Sequence, residues 1–394
     1  MDILLFHPWL KSRGGAERLI YEYQKRSKNN ITILTWNYIE EKTFDFKNII
    51  YLFDKKYERL FRGYLIRGGF SLLTNLIKLP KDIEENYDLF LISSGGIGEL
   101  ILLKNNLKIP KVIYSHTILR ASYYWDILWN LKYRFNRPYI LPYKTAVIVY
   151  NHLEKRAWKR IDYAIFNSEL SKKRALDKKL ISENKTYIIN PGADLNNFYN
   201  KDPEDYFLYV ARIGLAKRQH LLIKSFAKFI KKYPEYKLYL AGSLENIKYY
   251  NKLIKLIKLY KLEKNVKIFL NVDDKKLREL YSKCLAFIHI PFMEDFGIVP
   301  LEAMASGKYV ISTYAGNYEI LKDAPGIYWI EEKIYEEKMV EEIYKALEYF
   351  IKNRDELIEK GKENMNYIKN KDFSWDNFAR KMDKKLEEIY KEYV

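Results

Sequence analysis

The sequence predicts an α/β protein made of two doubly wound parallel sheets, each in its own domain. Three observations carry this expectation. Short runs rich in Ile, Leu, Val, Phe and Tyr alternate with longer helical patterns almost from end to end. Such βαβα alternation with apolar strands gives parallel sheets covered on both faces. The 394 residues suit two domains, at about 100–200 residues per domain. A polar break, Asn196-Asn197, Asn200 and Asp202-Pro203, separates two strand–helix series. The expected division is 1–197, 198–372 and a last helix, 373–394, beginning at Phe373-Ser374-Trp375.

In the first series the expected strands are Asp2–His7, Ile31–Thr35, Asp88–Ile92, Val112–Ser115, Tyr163–Asn167 and Tyr187–Asn190. Helical patterns fill Ala16–Ser27, roughly Tyr57–Ile77, and a long stretch ending near Lys159. In the second series the expected strands are Phe207–Ala211, Lys237–Ala241, Val266–Leu270, Ala286–Ile290 and Val310–Thr313. Helices are expected over Arg218–Lys232, Ile247–Tyr260, Lys275–Lys283 and Pro300–Ser306, and only helices after about residue 334.

Composition removes several classes. A single cysteine, Cys284, excludes a disulfide framework and any multi-cysteine zinc site. Five scattered histidines argue against a histidine-rich metal centre. The acidic start Met1-Asp2 runs straight into a strand, so no secretory signal is expected, and every apolar stretch is interrupted too early for a membrane span. The chain is therefore expected in the cytoplasm. The 69 basic and 51 acidic residues leave a net charge of +18, which attracts anions: phosphates, nucleic acid or an acidic membrane surface.

The segment from Pro291 to Gly307 is the most informative. A strand ends at Pro291, a loop holds Gly297, Pro300 suits the first helical position and Gly307 suits the C-terminal cap. The amides of Phe296, Gly297 and Ile298 should then point from a helix N-terminus at the carboxyl edge of a parallel sheet, where phosphate binds. Glu294 and Glu302, eight positions apart, suit the hydroxyls of a sugar; the plainer reading is a loop acid and a first-turn acid favoured by the helix dipole. Arg212 and Lys217 flank the start of another helix. Cations are unfavourable there, so the sequence expects an anion to occupy the site. Gly14-Gly15 after the first strand allows close approach of a ligand, as does Gly95-Gly96-Ile97-Gly98. His116 ends a strand and faces the carboxyl edge, whereas His7, His152, His220 and His289 are assigned no chemistry.

Together these segments resemble the retaining glycosyltransferase family 4, of the GT-B fold, in a mannosyltransferase-like form. The similar motifs are Gly14-Gly15-Ala16-Glu17-Arg18, His116-Thr117-Ile118-Leu119-Arg120, Asn167-Ser168 with Ser171, and Asn190-Pro191-Gly192-Ala193-Asp194. Arg212 with Lys217, Ala241-Gly242-Ser243 and the Glu294–Gly307 segment complete the series in the family's order. The resemblance implies two Rossmann-like domains facing a cleft, with the last helix crossing back to the N-terminal, acceptor-side domain. It implies that Arg212 and Lys217 neutralise the donor diphosphate, and that Glu294 holds the transferred sugar. The amides of Phe296, Gly297 and Ile298 would support sugar and phosphate, and Glu302 the ribose. Gly15 would let the first loop approach the diphosphate, and His116 would contact the donor sugar.

The chain departs from many mannosyltransferase-like members at Thr117-Ile118, where they carry a proline. The donor stays open between GDP-mannose, which is favoured, and a UDP-sugar. The implied reaction is retaining and free of cofactor and metal, with a glycan or polyprenyl-linked acceptor at an anionic membrane surface. Apolar and aromatic residues among cations in Tyr57–Leu79 and Tyr123–Tyr143, with Trp125 and Trp129 one turn apart, suit that surface. Two alternatives are weighed: a phosphorylase-like enzyme of the same architecture, and a basic nucleic-acid-binding protein. No helix-turn-helix, RNP or zinc-finger pattern supports the latter, and no nucleic-acid partner is expected.

Overall fold

A computed structural model describes all residues except 12, 53–76, 81–82 and 134–136. The chain divides into two units: Met1–Gly192 with Trp375–Val394, and Ala193–Ser374.

The first unit is built on a seven-stranded, wholly parallel sheet. Its strands are β1 (Asp2–Phe6), β3 (Asn30–Thr35), β5 (Ile49–Tyr51), β6 (Leu89–Ser94), β7 (Lys111–Ser115), β8 (Tyr163–Phe166) and β9 (Thr186–Ile188). Their order is β5-β3-β1-β6-β7-β8-β9. Two short strands, β2 (Trp9–Leu10) and β4 (Asn37–Tyr38), pair separately. The second unit carries β10 (Tyr206–Val210), β11 (Lys237–Gly242), β12 (Val266–Leu270), β13 (Ala286–His289), β14 (Tyr309–Thr313) and β15 (Ile327–Ile330), all parallel, in the order β12-β11-β10-β13-β14-β15. In each sheet the order reverses beside the first strand, between β1 and β6 and between β10 and β13. Open α/β sheets bind ligands at that reversal, outside the carboxyl ends of the strands.

The main helices of the first unit are α1 (Gly15–Arg26), α2 (Tyr124–Tyr133), α3 (Arg137–Trp158) and α4 (Glu169–Asp177). Those of the second are α5 (Gln219–Phe229), α6 (Ile247–Leu259), α7 (Asp274–Lys283), α8 (Val299–Ala305), α9 (Glu336–Lys352) and α10 (Arg354–Asn370). Local chemistry fixes several starts. Ser168 Oγ caps α4 through the Ser171 amide, and Asp273 caps α7 through the Lys276 amide. Pro300 lies in the first turn of α8, and Gly307 follows its end at φ +66°.

Sequence patterning misses three sets of elements. β2, β4 and β5 hold only two or three residues each, too few to show a period. α4 reads as polar, Glu-Leu-Ser-Lys-Lys-Arg, and is set by its cap and by the buried Arg174 and Ala175. β15 is recognised only as the partner of β14.

The last helix, α11 (Trp375–Tyr393), belongs to the first unit. Phe378, Met382, Leu386 and Ile389 form its buried stripe and join the core of β1, β3, β6 and β7. Gly192 is required where it sits, because a Cβ there would lie 2.7 Å from the Trp375 ring. Asp383, 5% exposed, fastens α11 to the end of α1. It accepts from Tyr23 Oη (2.8 Å), Ser27 Oγ (2.6 Å), the Lys28 amide (2.8 Å) and Asn29 Nδ2 (3.0 Å). Removing the carboxylate strands these donors, each at about 1–3 kcal/mol when buried. Asp383→Ala should lower unfolding free energy by about 3 kcal/mol, read from the urea midpoint at unchanged slope. A loss under about 1 kcal/mol would show that α11 is held by its apolar stripe alone.

Candidate functional site

In the second unit, the loops leaving β10 and β13 carry the predicted residues, and these strands are neighbours at the reversal. After β10 the chain forms a single tight turn, Leu215–Lys217, and then Arg218 in the left-handed region at φ +58°. The Tyr209 hydroxyl donates to the Lys217 carbonyl at 2.5 Å. Lys217 Nζ lies 2.5 Å from Glu294 Oε2, and Arg212 lies 3.1 Å from Glu245 Oε2. The expectation that only an anionic ligand could balance these cations is therefore corrected. Each already faces a carboxylate, and the tight turn separates them from the first turn of α5. The pairs differ in depth. Arg212 is 65% exposed, so its pair contributes little, whereas Lys217 is 16% exposed.

After β13, Gly297 sits at φ +82°, and a Cβ there would approach His289 Nε2 to 2.9 Å. Only glycine fits this turn without strain or collision. Asn317 Nδ2 donates to the Gly297 carbonyl (2.9 Å), and the Gly316 amide donates to the Glu294 carbonyl (2.9 Å). The amides of Phe296, Gly297 and Ile298 have no hydrogen-bond acceptor among the described residues. Glu302, in the first turn of α8, accepts from the buried Tyr281 hydroxyl at 2.8 Å. Among the described residues, several buried polar atoms around these loops lack a partner. They are Arg218 Nε, Gln219 Oε1, both ring nitrogens of His289, Asn317 Oδ1 and Glu332 Oε2. Native interiors hold few such atoms, and these lie around the same loops.

The first unit gathers a second group at its own reversal. His116 follows β7, and its amide donates to the Ser94 carbonyl at 2.9 Å. Its Nε2 lies 2.8 Å from Ser93 Oγ, and His7 Nδ1 lies 3.1 Å from the same hydroxyl. Burial holds His116 down to about 3, helped by His7, and holds His7 itself down to about 4. Both rings are neutral at pH 7, so each offers one donor and one acceptor rather than a charge. Gly15 opens α1, and nothing lies within 4 Å of where its Cβ would be. The Gly95–Gly98 run is different: Ser94 Oγ accepts from the amides of both Gly96 and Gly98, so these serve the turn itself.

Sequence reasoning set His7 and His289 aside, yet both lie at the carboxyl ends of strands, β1 and β13. The criterion that singled out His116 selects them as well. Ser93, Tyr281, Asn317 and Glu332 carried no local signal, because their partners are 20 or more residues away.

Residues 194–364 match the family described as glycosyl transferases group 1. An uncharacterized glycosyltransferase of Methanocaldococcus jannaschii is 27% identical over 404 residues, covering 98% of this chain and 97% of that one. The alpha-1,3/1,6-mannosyltransferase ALG2 of Dictyostelium discoideum is 30% identical over 138 residues, which is 31% of this chain and 33% of the relative. The crystal structure of Anabaena HepE with UDP and glucose has a TM-score of 0.67 at 17% identity, covering 98% of this chain and 100% of that one. The fold is GT-B, as the motifs implied, and the protein is a glycosyltransferase. Its second unit carries a glycosyl transferases group 1 domain, and the candidate site lies within it.

The neutral histidines make stability pH-dependent with a definite sign. His7, His116 and His289 have folded values of about 4, 3 and 3, below the unfolded value near 6.5. The unfolded chain then binds more protons between about pH 6.5 and 4, so stability falls as pH drops through that window and is unaffected above it. At pH 5 the buried His7 alone costs about 2 kcal/mol. Thermal melting from pH 7 to 5 should therefore fall steeply in the wild type and less steeply in His7→Asn. Equal slopes would contradict a neutral buried His7.

Proposed function

We propose that the protein is a retaining, metal-independent glycosyltransferase of family 4 that moves a sugar from a nucleotide-sugar donor to a glycan or polyprenyl-linked acceptor. One observation carries the reading: the Lys217–Glu294 pair at the β10–β13 reversal. A ligand that separates this pair must offer an anion to Lys217 and hydroxyl groups to Glu294. A nucleotide sugar presents both on adjoining groups, whereas phosphate alone or sugar alone presents one.

In this reading Arg212 swings from its exposed pair to the diphosphate and Lys217 reaches the same group. The amides of Phe296, Gly297 and Ile298 add donors where charge develops, and Glu302, oriented by Tyr281, takes the ribose. Gly15 and His116 keep the donor contacts that the family resemblance assigns to them. The bond from the anomeric carbon to the diphosphate oxygen breaks, and its electron pair leaves on that oxygen. The acceptor hydroxyl bonds to the anomeric carbon on the same face, and its proton passes to the departing phosphate. Fixed cations and amides stabilise the growing negative charge without reorganising. The similarity to a mannosyltransferase over part of the chain supports GDP-mannose ahead of a UDP-sugar.

The membrane half of the proposal rests on α2 and α3. Tyr124, Trp125, Tyr139, Leu141, Ile148 and Val149 are exposed there, Leu141 at 73%, among the exposed Lys132, Lys144 and Lys155. Exposed apolar groups bordered by lysines favour an anionic lipid surface. Trp129 does not belong to this face, being 7% exposed within the core, and residues 57–76 and 134–136 lie outside the described residues. Among the described residues no helix is long and apolar enough to cross a membrane.

Nucleoside diphosphate release from a panel including GDP-mannose and UDP-glucose tests the donor. Lys217→Ala and Arg212→Ala should each lose about 10²–10³ in turnover. The melting temperature should change little, since partly exposed pairs contribute about 1 kcal/mol or less. Glu302→Gln should weaken GDP or UDP binding in calorimetry by about 10- to 150-fold, while Glu294→Gln spares that binding and depresses turnover. EDTA should leave wild-type turnover intact; abolition by EDTA with rescue by magnesium or manganese would overturn the metal-free reading. The reverse calorimetric pattern would overturn the glutamate roles.

Co-sedimentation tests the membrane reading separately. The protein should pellet with phosphatidylglycerol vesicles at low salt, and less so at high salt or with Trp125→Ser/Leu141→Ser. Failure to pellet with anionic vesicles at low salt would refute it.

A further inference from the structure

Beneath the Lys217–Glu294 pair lies a second, deeper pair that no part of the reading above uses. Arg218 is the residue next to Lys217, and its side chain is 2% exposed. Its backbone holds φ +58°, a conformation that glycine adopts without strain and arginine does not. Its Nη1 donates to Glu332 Oε1 at 2.6 Å, and its guanidinium covers the Phe292 ring with 4.6 Å to the centroid. Glu332, just beyond β15, is 16% exposed; burial pushes its carboxyl above the usual carboxylate range, opposed by Arg218 and by the backbone N–H groups of Met293 and Lys333. The Phe292 amide also donates to the Ala216 carbonyl at 2.8 Å.

These contacts join the three loops that follow β10, β13 and β15. One side of the junction continues directly into Lys217, and the other continues through Met293 into Glu294. Arg218 directly follows Lys217, and Phe292 lies two residues before Glu294, so the contacts that fix these two loops also set where Lys217 and Glu294 stand. A strained arginine in the interior is a poor choice for stability alone, since buried ion pairs are often replaceable by apolar groups at no loss.

We infer that Arg218 and Glu332 are positioning residues, whose buried pair sets the spacing at which Lys217 and Glu294 meet the sugar diphosphate. The inference rests on the donor-site reading. Neither residue touches the donor; both act through their neighbours.

The test is a double-mutant cycle on turnover, with nucleoside diphosphate binding and melting temperature as controls. Arg218→Gly keeps the left-handed turn free of strain and removes the clamp. It should lower turnover by about 10- to 100-fold, as expected for displacement of a catalytic group by about 1 Å. UDP or GDP affinity, to which Glu302 contributes independently of the clamp, should fall by a smaller factor than turnover does. Arg218→Lys keeps the charge without the planar fork and should recover part of the loss. Because Arg218 acts in part through Lys217, the double variant Lys217→Ala/Arg218→Gly should lose clearly less than the product of the two single losses. Should Arg218→Gly unfold through the unpaired Glu332, Arg218→Met/Glu332→Gln removes both charges and is measured in the same cycle. Full turnover in the clamp variants, or independent losses that multiply with Lys217→Ala, would overturn the inference. Full turnover in Lys217→Ala alone would instead overturn the donor-site reading.

Discussion

The loops after β10 and β13 leave the sheet side by side because these parallel strands are neighbours where the strand order reverses. That adjacency brings Arg212, Lys217 and Arg218 to the same edge as Glu294 and Glu332, with Glu245 following β11. Charges crowded at a partly buried edge persist only if each meets an opposite charge or a ligand. The three pairs solve this at three depths, with the cations 65%, 16% and 2% exposed. The outermost pair is exposed and held weakly. The innermost is locked between loops, and the middle one sits where both conditions meet.

The first unit answers the same topological constraint without charge. At its reversal, between β1 and β6, Ser93 stands between two imidazoles that burial keeps neutral. A chain of net charge +18 thus places uncharged groups at one sheet edge and compensated cations at the other. Neutral rings suit hydroxyl groups, which need a donor and an acceptor together. Cations suit phosphate.

Orphaned polar atoms link the site to its scaffold. His289 and Asn317 pack beneath Gly297, and their unpaired nitrogens and oxygen lie under the loop that carries Glu294. An interior that leaves such atoms unpaired gives up stability, at about 1–3 kcal/mol for each group.

The sequence by itself determined the two parallel sheets, because apolar five-residue strands alternating with helical periods have few other ways to bury themselves. It also determined where the loop between β13 and α8 falls. Pro300, Gly297 and Gly307 punctuate the backbone locally, and the Glu294–Glu302 spacing is read from the loop into a single helix. The cap of Asp273 on the Lys276 amide is local in the same way, a contact three residues long. Tertiary structure alone decided which charge meets which. Glu245 lies 33 residues from Arg212, Glu294 lies 77 from Lys217, and Glu332 lies 114 from Arg218. Nothing in local spacing encodes such partners. It also decided that Trp129 is core and Trp125 surface, although one helical turn separates them, because burial depends on what packs over each face. Periodicity fixes the elements; the register of loops at a sheet edge fixes the chemistry.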